Sequence, residues 1–229
     1  IRDSDMAFYS DKKLKSVAVN SFVSKENHKA VYVLHLFFLV SLAGWIGESV
    51  FFVIIGAPAD RGFLTMPFCP VYGFTVCGIY LLIGTPSDGI WWKLYGKLKR
   101  NGNLSDLGSA MCVIVLYYIA VTFCVTFSEF IGGLFFDKAL KVRLWNYSGF
   151  AYNVMGYVCP QFSFLFGAAA SLFAAIADKV ILFLKRVSDY ETLIAVDVVL
   201  SALMAADFVF NVIAVIIIGE HLMLYGTHV

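Results

Sequence analysis

The chain has 229 residues, of which 60% are hydrophobic and 14% charged, and its mean hydropathy is +0.81. A soluble domain of this size is about half apolar and about a quarter charged. The composition therefore predicts an integral membrane protein and excludes a disordered chain. Seventeen Lys and Arg against sixteen Asp and Glu give a net charge of +1. That balance excludes a nucleic-acid-binding protein that relies on bulk positive charge, so no nucleic-acid partner is predicted.

Continuous apolar stretches predict an all-α, polytopic fold with about five transmembrane helices. Runs without alternation disfavour β-strands that cross the membrane. Residues 1–29 are mixed polar and charged and are predicted to form a cytoplasmic tail or interfacial helix, followed by a single transmembrane domain at 30–229. The predicted spans are residues 31–55, 68–84, 110–136, 159–183 and 192–218, of which the second is the shortest.

The distribution of Lys and Arg predicts a cytoplasmic N-terminus and an external C-terminus. Six of these cations precede span one, four separate spans two and three, and three surround the last inner turn. The opposite side has Arg61 in its first loop, three cations in its second, and none after span five. The segment at 89–100 places Trp and Tyr rings among lysines, which predicts a cytoplasmic interfacial helix. A membrane anchor is favoured there over a docking element for a partner.

Carboxylates inside the predicted spans are the first candidates for a site, because ionisable groups are costly in lipid. Glu48 and Glu129 each lie seven residues before the outer end of a span, roughly 10 Å below the boundary. Equal depth predicts one shared cavity. Each carboxylate must be protonated or paired with a cation, and Arg61 is the predicted partner. The same residues also fit an ion-pair lock between helices, and the sequence leaves both roles open.

Span five contains a second polar group near the midplane. Asp207 and Asn211 stand four residues apart and therefore share a helix face. Their depth suits a proton or cation relay, and a hydrogen bond between helices fits equally well. His35, near the inner end of span one, is predicted to pack through a hydrogen bond rather than to bind a metal.

Two loops at the predicted outer end complete the candidate pocket. Residues 60–73 include two prolines and two glycines, which disfavour regular helix. Irregular backbone at membrane depth must face protein or water, so this segment is predicted to dip into the outer leaflet and line a cavity. The predicted binding residues are Glu48, Arg61, Tyr72, Glu129, Trp145, Asn146, Tyr147, Asp207 and Asn211.

The five cysteines are too few for a disulfide scaffold. No CxxC or Cys/His cluster is present, so neither a metal site nor a cofactor is predicted. Cys69 and Cys159 begin spans two and four at the same outer end, where an oxidising exterior permits a disulfide. Packing of Cys69 against the bend at 67–70 is the favoured alternative.

Three segments and one single residue resemble one family of bacterial integral membrane proteins, described as Putative ABC-transporter type IV. They are GWIGE (44–48), RGFLTMPFCPVYG (61–73), Glu129 and WNYSGFAYNVMGYVC (145–159). The family pattern has a Trp–Glu span, an Arg-Gly loop ending in Pro-x-Cys-Pro-x-Tyr-Gly, and a Trp-Asp-Tyr-Ser loop. This sequence has Asn146 at the position of the Asp. The resemblance covers roughly 34–84 and 122–167 and implies a permease role in the bacterial cell membrane.

Three functions remain in view at this point. The favoured hypothesis is an ABC-permease-like transport subunit with an outward-facing polar pocket for a small solute or ion. The 229 residues contain no GxxxxGK[ST] phosphate loop, so the predicted ATPase is a separate chain. Besides membrane lipids, a second copy of the chain is left open as a partner.

An intramembrane enzyme acting on a lipid-linked substrate is the second hypothesis, because two carboxylates and an Arg can supply acid, base and anion stabilisation. No nucleophile motif accompanies them apart from Cys69, so the sequence favours a non-enzymatic role. The third hypothesis is a structural or assembly protein whose polar residues lock helices together.

Overall fold

The structure is a computed structural model that describes residues 29–51, 53–54, 62–100 and 105–219. These residues form helices and connecting loops and contain no β-strand, which confirms the all-α prediction. The six α-helices are α1 Lys29–Phe51, α2 Pro70–Leu82, α3 Gly89–Arg100, α4 Asp106–Phe135, α5 Pro160–Val187 and α6 Tyr190–Ile218.

Four of these helices are long and apolar enough to cross a membrane: α1, α4 with its terminal π-turn Phe136–Leu140, α5 and α6. Large apolar side chains point away from the bundle, as at Phe123 (72% exposed) and Ile216 (75% exposed). Such outward-facing surfaces on long helices fit contact with lipid. The chain is therefore a multi-pass membrane protein, as predicted.

The predicted second span is a shorter helix joined to an irregular segment. Helix α2 has 13 residues and measures about 20 Å, whereas the hydrocarbon core is about 30 Å thick. Pro70 occupies its first turn, where the missing N–H costs nothing and the fixed φ favours helix. Residues 62–69, which we call the inserted segment, precede it without regular structure.

Helix α2 packs antiparallel along the first half of α1. The Cys69 N–H donates to the Ser41 carbonyl at 3.0 Å, and the Cys77 thiol lies 3.5 Å from the Val33 carbonyl. Ser41 lies ten residues before Phe51, or about 15 Å along the helix. The end of the inserted segment therefore lies against the middle of α1, and its depth in the membrane remains a prediction.

Helices α4 and α5 pack along a seam of small residues. A Cβ atom at Gly167 would lie 3.0 Å from Thr122 Cα, so the two backbones approach as closely as glycine allows. Ala174 and Ala177 are fully buried further along α5. Asp178 accepts a hydrogen bond of 2.7 Å from Tyr80 and thereby ties α5 to α2. The small residues of α5 therefore allow close packing against its neighbours.

Helix α6 is joined to α1 by one buried polar contact. His35 Nδ1 lies 2.7 Å from Asp197 Oδ1, and Asp197 is 2% exposed. This contact confirms the predicted hydrogen-bonded role of His35. At the start of α6, the Asp189 carboxylate accepts the Thr192 N–H at 2.8 Å. That bond stabilises the ionised carboxylate and lowers the pKa of Asp189.

Helix α3 is amphipathic and lies between α2 and α4. Its last turn contains Lys97, Lys99 and Arg100, while Trp92 is 63% exposed. Trp91 anchors it to the bundle by donating to the Ile83 carbonyl at 3.0 Å. The helix exists as predicted, and its placement on the cytoplasmic side remains a prediction.

That topology can be tested with a single cysteine in a variant whose five native cysteines are replaced. We expect Lys97→Cys in intact cells to resist a membrane-impermeant thiol reagent and to react after permeabilisation. The matched control is Ser148→Cys, an exposed position in the loop between α4 and α5, which should react in intact cells. The reverse pattern would invert the predicted orientation.

Candidate binding cavity

A cavity of about 2140 Å³ lies between the helices. Helices α1, α2, α4, α5 and α6 contribute to its wall, together with the inserted segment and residues 144–150. Most of the lining side chains are aliphatic or aromatic. Among the described residues that line it, the charged ones are Lys29 near one end and Glu48 and Glu129 near the other.

Glu48 of α1 meets the N-terminal end of α2. The Tyr72 hydroxyl donates to Glu48 Oε1, and Cys69 Sγ lies 3.9 Å from Oε2. Gly44 makes room for this contact, because a Cβ atom there would lie 2.6 Å from Tyr72 Cγ. Glu48 therefore lies beside the first turn of α2.

Glu129 of α4 faces the same cavity with fewer partners. The Tyr147 hydroxyl donates to Glu129 Oε1 over 3.4 Å. Its other oxygen, Oε2, is buried and accepts no hydrogen bond from the described residues. Burial, reinforced by the two nearby glutamates, raises the pKa of Tyr147, so its phenol stays protonated and remains a donor.

The loop between α4 and α5 folds over this end of the cavity. Trp145 Nε1 donates to the Tyr157 carbonyl at 2.8 Å, and the Tyr147 N–H donates to the Gly156 carbonyl at 2.8 Å. Asn146 Oδ1 accepts the Ser148 N–H at 3.0 Å and forms a local turn. An Asp at this position would offer the same acceptor, so the turn is preserved although this chain has Asn146 where the family pattern has Asp.

Asp207 and Asn211 form hydrogen bonds with the inserted segment and do not line the cavity. Asp207 accepts the Met66 N–H at 2.8 Å and the Thr65 hydroxyl, while Asn211 Nδ2 donates to Thr65 Oγ1 at 3.2 Å. Neither residue lines the cavity described above. The structure thus shows hydrogen bonds between α6 and the inserted segment. The sequence had suggested a proton or cation relay or a hydrogen bond between two helices.

The remaining predicted residues are Arg61 and the two cysteines Cys69 and Cys159. Arg61 lies outside the described residues. Cys69 and Cys159 are both buried and are not joined by the disulfide that the sequence permitted; Cys69 lines the cavity and Cys159 does not. The described part of the chain has no group of three or more His, Cys, Asp or Glu placed to hold a metal ion.

An aromatic wall, which the sequence did not predict, connects the two acidic positions. Tyr147 stacks on Phe162 with centroids 4.8 Å apart, Phe162 contacts Phe166 at 5.7 Å, and Phe166 contacts Tyr72 at 5.9 Å. Phenylalanines in a span are typical of a lipid-facing surface. The one available signal was the four-residue spacing of Phe162 and Phe166, which places both on one face of α5.

Together these features define a class: a multi-pass helical membrane protein with two carboxylates in a cavity between its helices. The family model described as Putative ABC-transporter type IV matches residues 35–212. The chain therefore belongs to that family, in agreement with the resemblance drawn from its motifs. No curated protein and no solved structure matches the chain.

Proposed function

We propose that the chain is the membrane-spanning transport subunit of an ABC-type system and binds a small solute or ion in the cavity. The observation that carries the proposal is that Glu48 and Glu129, from two different helices that can span a membrane, line one cavity. Ionisable side chains in that position mark substrate or ion pathways. The predicted orientation opens this end of the cavity to the outside of the cell.

A separate chain supplies the ATPase in this proposal. The 229 residues contain no GxxxxGK[ST] phosphate loop, so ATP hydrolysis requires residues outside this sequence. In its own host, affinity purification of the tagged chain after mild crosslinking should recover a chain that contains such a loop, and the complex should hydrolyse ATP. Recovery of no phosphate-loop protein would refute the ABC-type assignment.

The role of the carboxylates is tested by complementation of a strain that lacks the chromosomal copy. We expect Glu129→Gln to reach the membrane at the wild-type level and to fail in complementation. The matched control is Glu191→Gln, which removes the same charge at an exposed position of α6 and should complement. Full complementation by Glu129→Gln would contradict a substrate-binding role.

A purely structural role for the acidic positions makes a different prediction. If Glu48 and Arg61 only lock helices, Arg61→Gln should lower the apparent melting temperature, and adding Glu48→Gln should restore it, because no unpaired buried charge remains. The transport proposal instead expects the double variant to stay inactive whatever its stability. Activity restored together with stability would favour the lock.

A further inference from the structure

We infer that the ligand of the cavity is an amphiphilic ammonium ion: a molecule with a charged amine head and an apolar tail. The inference rests on the proposed transport function and names the substrate class of the same cavity. Three observations carry it, namely the charge of the wall, the free oxygen of Glu129, and the aromatic surface between the two acidic positions.

The charge of the acidic end favours a cation. Glu48 and Glu129 are the acidic side chains there, while Lys29 lies 19 residues from Glu48 on α1, or about 28 Å away. With both carboxylates ionised and the Arg61 guanidinium predicted beside them counted, one negative charge remains. A buried charge of this kind needs a proton or a cation, and an anionic ligand would be repelled.

Glu129 supplies the hydrogen-bond acceptor for such a head group. Its Oε2 is buried and accepts no hydrogen bond within the described ranges, and its Oε1 has only the long 3.4 Å bond from Tyr147. An ammonium group has N–H donors that can reach both oxygens. A charge-assisted bond of this kind is shorter and about twice as strong as a neutral one.

The wall beside Glu129 suits an organic cation better than a metal ion. Four rings, contributed by Tyr147, Phe162, Phe166 and Tyr72, stand in consecutive contact between the two glutamates. Aromatic faces attract ammonium groups. Calcium, in contrast, takes about 6–8 oxygen ligands, and magnesium needs a near-octahedral set of ligands. The ring surface offers neither of these sets of oxygen ligands.

The large volume and the apolar wall of the cavity indicate that the ligand has an apolar tail. Its volume of about 2140 Å³ exceeds the roughly 300–1,000 Å³ that is usual for small-molecule sites. The wall along α1 and α2 includes Phe37, Phe74 and Leu81. A phospholipid with an ethanolamine head would bring a phosphate beside the two glutamates, so a free amine amphiphile fits the charge better.

The test is equilibrium dialysis of radiolabelled octylammonium against the full chain in a nonionic maltoside detergent at pH 7, with empty micelles as the blank. We expect saturable binding that octylammonium itself displaces and that octanol and octyl sulfate displace at least about tenfold less well. Glu129→Gln should weaken binding by about tenfold or more. Glu129→Asp should retain part of it, and Glu191→Gln should bind as the wild type does.

Each other outcome overturns the inference. No saturable binding refutes the assigned class, and equal displacement by octanol shows that the cavity recognises only the tail. Stronger displacement by phosphatidylethanolamine than by octylammonium assigns the site to a lipid head group. In all three cases the copurification test for an ATPase would remain valid. Failure of this inference is therefore distinguishable from failure of the transport proposal.

Discussion

Gly73→Ala is expected to separate α2 from α1 and to lower the free energy of unfolding by about 2–3 kcal/mol. A Cβ atom at this position would overlap the Ser41 hydroxyl and lie 2.7 Å from the Phe37 carbonyl oxygen. The carbonyl belongs to the backbone of α1 and cannot rotate away, so the helices themselves must move apart. The gain in helix propensity, about 1 kcal/mol for Ala over Gly, does not offset this.

Gly78→Ala is the matched control, because it makes the same change one and a half turns further along α2. Apart from its own helix backbone and chain neighbours, no atom of a described residue lies within 4 Å of the Cβ position at Gly78. This variant should keep or slightly exceed the wild-type stability, by up to about 1 kcal/mol. Thermal unfolding of both variants in the same detergent gives the comparison. Equal melting temperatures would show that the close approach of α1 and α2 does not limit stability.

The consequence of Gly73→Ala reaches the binding cavity through its neighbour. Tyr72 donates to Glu48 and contacts Phe166, so a shift of α2 displaces both the donor and one end of the aromatic wall. Octylammonium binding should therefore fall together with stability in Gly73→Ala and remain intact in Gly78→Ala. Stability and ligand binding are coupled here because one helix contact serves both.

The spans themselves could be predicted from local pattern. Long apolar runs identify α1, α4, α5 and α6 because membrane-crossing helices have to satisfy their own backbone and present apolar side chains to lipid. The irregular backbone of the inserted segment also followed from local chemistry, since two prolines and two glycines within fourteen residues prevent a regular helix. Equal sequence depth of Glu48 and Glu129 was enough to expect them on one cavity.

The pairings across the bundle could not be predicted in the same way. His35 and Asp197 are 162 residues apart, and Thr65 and Asp207 are 142 apart. No periodicity connects such positions, because their contact depends on how whole helices rotate and tilt against each other. The sequence therefore predicted a hydrogen bond for His35 but could not identify Asp197 as its partner. It predicted how deep Asp207 lies but not that Asp207 binds the inserted segment.

Asp207→Ala is expected to release the inserted segment from α6. The change removes the acceptors of the Met66 N–H and the Thr65 hydroxyl, and each partly buried donor left without a partner costs about 1–3 kcal/mol. The segment should then exchange its backbone amide hydrogens faster, with the largest change at Met66. Amides in the middle of α4 should exchange at the wild-type rate, because the hydrogen bonds of Asp207 go to Thr65, Met66 and Asn211.

Asp207→Asn provides the control for charge, since it keeps one oxygen for the Met66 N–H and should retain most of the protection. Gly62, Phe63 and Leu64 of the released segment line the cavity, so Asp207→Ala should also weaken octylammonium binding although Asp207 itself does not line that cavity. A direct ion-binding role for Asp207 predicts a different result: Asp207→Asn, which loses the charge, would then impair binding as much as Asp207→Ala. Hydrogen exchange and dialysis on the two variants therefore separate a residue that holds the inserted segment in place from one that contacts the ligand.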